Sequence, residues 1–162
     1  MSIFMKYEGI KGEATDAGYK DWLDVDEISW GVRRNLTSNT ATSKDRESAN
    51  AEITDLTLTR RMDKATPDLF MEACCGKGKK VEIHLTKTGG GSGTEPFMEY
   101  KLENALISHY SVDAETQDQK HPTESITISF QKIESKYTPY DDKGKAEASV
   151  AVGFDTTTNE KS

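Results

Sequence analysis

Apolar and polar residues alternate along much of this chain with the period of two that marks half-buried β-strands. Val81-Glu82-Ile83-His84-Leu85-Thr86 and Ser125-Ile126-Thr127-Ile128-Ser129-Phe130-Gln131 are the clearest runs. Ile3 to Tyr7, Asp21 to Ile28 and Val150 to Phe154 read the same way. Two runs break phase. In Ile53-Thr54-Asp55-Leu56-Thr57-Leu58 the apolar side switches, which predicts a β-bulge. In Leu102 to Ile107 apolar residues fall on both faces, which predicts burial on both sides, at a subunit contact or under a helix.

One segment carries helix signals instead. Thr66 suits an N-cap, Pro67 the first helical position and Asp68 the first turn. Leu69, Phe70, Ala73 and Cys74 make a stripe, and Gly76 suits the left-handed position after the last turn. So short a helix is unstable alone and must dock on the sheet. Between the strands, residues 33–50 form a long polar loop with Leu36 as its single large apolar residue, and Gly89 to Gly93 form a glycine-rich hairpin connection. The residues from 156 to 162 read as a frayed tail.

Composition narrows the choice. The 162 residues fit one domain, 1–162, long enough to bury a core without disulfides. A net charge of −7 argues against nucleic acid, because Lys77, Lys79 and Lys80 are the only basic cluster and read as a solvated turn. Cys74 and Cys75 are adjacent, so they do not bridge each other, and a reducing compartment during folding is expected. The opening residues lack the features of a secretory signal, and no stretch is apolar enough to insert in a membrane.

Catalytic chemistry has little to stand on. His84, His109 and His121 have no ligand spacing, so neither metal nor cofactor is expected. Cys74 and Cys75 lie at a helix C-terminus, where the dipole opposes a thiolate. Asp24 and Asp26 read as a solvated edge. Trp22 and Trp30 leave open a monomeric β-sandwich module that binds carbohydrate, although a Trp at a strand end is more often a core or interface anchor.

Short signatures add to this. Tyr7-Glu8-Gly9-Ile10-Lys11-Gly12-Glu13, then Trp22 and Ile28-Ser29-Trp30-Gly31, then Met62-Asp63-Lys64-Ala65-Thr66-Pro67-Asp68-Leu69, and finally Ile126 to Ile133 occur in this order. In that order and spacing the chain resembles the Hcp family, the tube proteins of bacterial type VI secretion systems. The resemblance implies a mainly β fold: a small β-barrel of two packed sheets flanked by one short α-helix, with an extended polar loop. It implies hexameric rings of identical copies that stack into an expelled tube. Sheath and spike proteins would be its partners and effectors its lumen cargo. Synthesis in the bacterial cytoplasm and export without a cleaved signal peptide follow from the same resemblance, and so does the absence of enzymatic activity. The expected subunit or ring interface takes in Trp30, Arg33, Arg34, Leu36, Lys44, Arg46, Leu106 and Ile107. The expected lumen face carries the polar alternate positions Thr127, Ser129 and Gln131.

Overall fold

The computed structural model describes residues 1–36, 43–89, 93–117 and 121–162. Parts of the long loop and of the Gly89 to Gly93 connection lie outside these residues. In chain order the strands are β1 (Ser2–Tyr7), β2 (Leu23–Val25), β3 (Glu27–Ser29) and β4 (Val32–Arg34). Helix α1 (Ser43–Glu47), β5 (Ala51–Ile53), β6 (Leu56–Arg61) and helix α2 (Thr66–Cys75) follow. The rest is β7 (Lys79–Thr88), β8 (Thr94–Asp113), β9 (Thr123–Ser129), β10 (Lys132–Tyr137), β11 (Val150–Asp155) and β12 (Glu160–Lys161).

Two sheets share one strand. Sheet A runs β12-β11-β10-β8-β7-β1-β2, and sheet B runs β3-β6-β9-β8. The 20-residue β8 serves both: its first half pairs with β7 and β10, and Leu106 to Asp113 pair with β9. The turn between halves falls at Asn104, whose φ is +51°, and at a register shift between Ile107 and His109. A second crossing falls at Asp26, between β2 on sheet A and β3 on sheet B. The expectation of a mainly β fold with a docked helix therefore holds, but the barrel does not close. The β2 ladder ends on β1 and the β3 ladder on β6, so no strand ladder joins the sheets at that corner; chain continuity does, with the Asp26 N–H donating to the Thr59 carbonyl at 2.9 Å.

The phase breaks now have causes. Ile53 and Leu56 belong to different strands separated by Thr54 and Asp55, so no bulge is involved. Around Ala105 the face changes because β8 passes from one sheet to the other. Asp21 to Ile28 is not one strand but the β2–β3 corner.

The core lies between the sheets. Ile3, Met5 and Tyr7 face Leu56, Leu58, Ile126 and Ile128, with Leu69 of α2 buried beside them. The helix differs in detail from its sequence signals. Ala65, not Thr66, is its N-cap, and Gly76 ends it in extended backbone with φ −66°. Leu69 is buried, but Phe70 is 52 % exposed, so the apolar stripe is narrower than its spacing implied. Cys74 and Cys75 are both exposed free thiols.

A smaller apolar cluster covers the other face of sheet A. Residues 8–22 fold back as a strap, and Tyr19 stacks on Phe4 at 4.4 Å with Trp22 against it. Gly12 is required here: a Cβ would sit 2.3 Å from the Trp22 carbonyl oxygen. His84 lies under the strap, where the Tyr19 hydroxyl meets its Nδ1 at 3.0 Å.

Candidate assembly surfaces

One buried polar network ties the helix to sheet B. Arg60 is 1 % exposed. Its Nη1 binds Glu124 Oε1, its Nη2 lies 2.6 Å from Asp63 Oδ2, and its Nε donates to the Asp24 carbonyl at 3.2 Å. Glu124 also accepts from the Tyr110 hydroxyl at 2.6 Å and the Thr66 hydroxyl at 3.3 Å. Burial, and then the bond to Glu124, push the Tyr110 hydroxyl well above its usual pKa. Sequence reasoning missed Arg60 and Glu124. The signal was present: each stands in phase with the apolar positions of its strand, Leu56 and Leu58 for one, Ile126 and Ile128 for the other. A charge at a core phase on each of two strands marks a buried pair.

The outer face of sheet B is a wall of hydroxyls. Thr127 stands across from Thr57, and Thr57 from Ser29. Ser125 lies between Thr59 and Ser111, and Thr123 between Arg61 and Asp113. The Thr57 and Thr127 hydroxyls meet at 3.3 Å. Thr127 and Ser129 are therefore on one face, as expected. Gln131 is not on this ladder: it follows β9, and its Oε1 accepts from Asn104 Nδ2 at 3.1 Å at the β8 corner. Leu106 pairs with Ser129 and is 41 % exposed at the edge of this wall, whereas Ile107 pairs with Ile128 and is buried in its own core. Ile107 has no surface to offer a neighbour.

The long loop is an arm rather than a loop. β4 pairs with β5, and Gly31 and Thr54 clasp its base through N–H to carbonyl and N–H to hydroxyl bonds. Arg33 bridges Glu52 at 2.7 Å. Arg34 donates to the carbonyls of Arg46, Glu47 and Ala49, which holds the five-residue α1 against the ribbon. Lys44 is exposed on α1, Arg46 is half-buried, and Leu36 is 51 % exposed.

Trp30 sits where the arm leaves the body. Its ring meets Tyr100 edge-on at 5.5 Å. Beside it opens a groove of about 390 Å³, lined by Trp30, Val32 and Ile53 on one side and Ile133, Val152 and Phe154 on the other. The groove exists because sheet A outruns sheet B. Phe154, Val152 and Val150 pair across from Ile133, Ser135 and Tyr137 on the core-facing side. At the outer end no described residue covers them: Val150 is 67 % and Tyr137 52 % exposed.

Comparison with known proteins decides the family. Residues 4–137 match the family model described as "Type VI secretion system effector, Hcp". The chain belongs to the Hcp family. Among curated relatives, Protein hcp1 of Pseudomonas aeruginosa is 26 % identical over 142 residues, covering 86 % of this chain and 84 % of the relative. A solved type six secretion system protein superposes with a TM-score of 0.91 at 26 % identity, over 99 % of both chains. Hcp1 from Salmonella typhimurium shares the fold with a TM-score of 0.77 at 20 % identity, over 99 % of this chain and 98 % of its own. Hcp proteins are structural proteins secreted by type VI systems, not enzymes. The carbohydrate-binding alternative finds no support among these relatives. Trp22 packs in the strap cluster and Trp30 against the core. Among the described residues, no group of three or more His, Cys, Asp or Glu is placed to hold a metal ion.

Proposed function

We propose that the whole chain, 1–162, is one Hcp-like tube subunit that assembles as hexameric rings, and that stacked rings form the expelled inner tube. The hydroxyl wall of sheet B carries this reading. A half-polar sheet needs one wet face, but an ordinary surface sheet carries mixed charge. Here most rung positions are short hydroxyls, with His109 beside Thr127 and charge confined to Glu27 beside Thr59 and to the Arg61–Asp113 end. Such a face donates and accepts hydrogen bonds without selecting one charge, which suits a lumen that passes different effectors. Thr127 and Ser129 are the lumen residues in this reading. Trp30 and the arm residues Arg33, Arg34, Leu36, Lys44 and Arg46 face a neighbouring copy or the next ring. Sheath and spike proteins are the further partners. The protein is made in the bacterial cytoplasm and leaves through the type VI machine without a cleaved signal peptide.

Native mass spectrometry of the purified chain tests the assembly. A dominant six-fold species is expected at micromolar concentration, and a monomer alone at that concentration overturns the reading.

A further inference from the structure

Two apolar surfaces are left uncovered, and they differ in shape and charge. The first is the concave groove beside Trp30. The second is a convex ridge on α2, where Phe70 and Met71 are each 52 % exposed. Phe70 continues through Tyr110, 6.1 Å away, to Val112, which is 47 % exposed. Monomeric proteins seldom leave two such surfaces open.

Their positions are set by sheet B. Its two open edges are β3 and the C-terminal half of β8, since β3 pairs with β6 alone and Leu106 to Asp113 with β9 alone. The groove adjoins the β3 edge, because Trp30 and Val32 directly follow Ser29. The ridge adjoins the β8 edge, because α2 lies beside Tyr110. Groove and ridge therefore sit on opposite flanks of the wall, where no single chain can bring them together.

Charge selects which surface meets which. The helix carries Asp68 and Glu72 and no base, and Asp113 and Glu115 follow Val112. The charged residue lining the groove is Lys161, and Arg34, across from the lining residue Ala51, donates to the neutral carbonyls of Arg46, Glu47 and Ala49. Groove on groove would juxtapose cations, and ridge on ridge would juxtapose carboxylates. Only the unlike pairing is complementary.

We infer that the Phe70–Met71 ridge of one copy seats in the Trp30–Val32–Val152 groove of the next. The inference rests on the ring reading above and names the surfaces that make the ring. Such a contact is heterologous, so each subunit has a donor flank and an acceptor flank, and repetition closes a ring when the rotation allows it. It also sets β8 of one wall toward β3 of the next, which continues the hydroxyl face from subunit to subunit.

The test uses a Cys74→Ser, Cys75→Ser background, which removes the competing exposed thiols. In it, Met71→Cys with Val152→Cys is oxidised mildly and run on a non-reducing gel. A ladder of covalent oligomers is expected, because a disulfide forms only when the two Cα atoms come within about 7 Å. Neither single variant should cross-link. Phe70→Glu should raise the half-assembly concentration tenfold or more, as about 1.4 kcal/mol or more of lost contact energy implies. Its circular dichroism should not change. Lys161→Glu and Asp68→Lys should each weaken assembly and together restore it. Two results overturn the pairing while leaving the ring intact. One is cross-linking by a single variant. The other is a parent that assembles while the double variant gives no ladder and Phe70→Glu assembles like the parent. A parent that never assembles overturns the ring reading itself.

Discussion

Replacing Arg60 with Met removes the cation of the buried network while nearly conserving the volume of its stem. The consequence follows from what stays behind. Glu124 keeps a side chain with 0 % exposure and Asp63 one with 10 %, and among the described residues no other cation bridges either. Breaking a buried pair by removing one partner costs about 3–5 kcal/mol, because a desolvated charge is left uncompensated. That is a large part of a total stability of about 5–15 kcal/mol. With a urea slope of about 2 kcal/mol per molar, the midpoint should fall by roughly 2 M. The assay is urea unfolding followed by circular dichroism at fixed protein concentration, since assembly would otherwise shift the midpoint by mass action. The double variant Arg60→Met, Glu124→Leu should lose about 1–3 kcal/mol less than the sum of the singles, because it also removes the stranded carboxylate. A midpoint for Arg60→Met within roughly 0.5 M of the parent would refute the reasoning and mean that the network is solvated in solution.

Phe70→Ala should cost only about 1 kcal/mol in the same assay, because its ring is half exposed rather than sealed in a cavity. A larger loss would place Phe70 in the core. Ser129→Arg should spare ring formation and reduce effector co-purification. Equal retention would put sheet B outside the lumen. Burial lowers the pKa of His84 below 6.5, against the pull of Glu99 and Glu82 and with help from Lys101 and Lys136. The fold thus favours the neutral ring. Its contribution is present above pH 6.5 and lost as pH falls through the lowered value. The fall in urea midpoint from pH 7 to pH 5 should be smaller in His84→Phe, and equal falls would count against this account. Cys74→Ser with Cys75→Ser should leave folding and ring formation unchanged. Disassembly of the parent by a mild reductant would reveal an intersubunit disulfide instead.

The strands most legible in the sequence are those with one wet face along their whole length. β9 is the clearest, since Ile126 and Ile128 point inward and Thr127 and Ser129 outward without interruption. Its neighbour β6 becomes legible only once Arg60 is accepted as a core residue. β8 could not be read at all as a 20-residue strand, because its inward side changes sheets at Asn104 and the period of two is reset by the register shift after Ile107. Trp30 was legible as an anchor because an aromatic at a strand end needs a partner. The groove beside it was not, because most of its lining comes from residues 133–161, more than a hundred positions after Trp30. The arm was hidden for another reason. β4 and β5 pair with each other instead of with the body, so their side chains carry no core period, and Arg34 holds α1 through carbonyls that leave no trace in sequence.

The mismatch between the sheets explains why an Hcp subunit of this shape needs its own copies. Sheet A has seven strands in its main order and sheet B four, so sheet B cannot cover sheet A. α2 fills part of the difference on one flank through Leu69, and the arm base fills part on the other through Trp30 and Ile53. Each filler leaves an apolar remainder: the outer side of α2 and the far end of β10–β11. Enlarging the monomer's own core would require a wider sheet B. On the proposed pairing a neighbour would cover the remainder with sheet B left narrow, and the same contact would shield its open edges. Assembly of this kind completes the subunit's core, and a monomer variant should expose apolar surface that the ring hides.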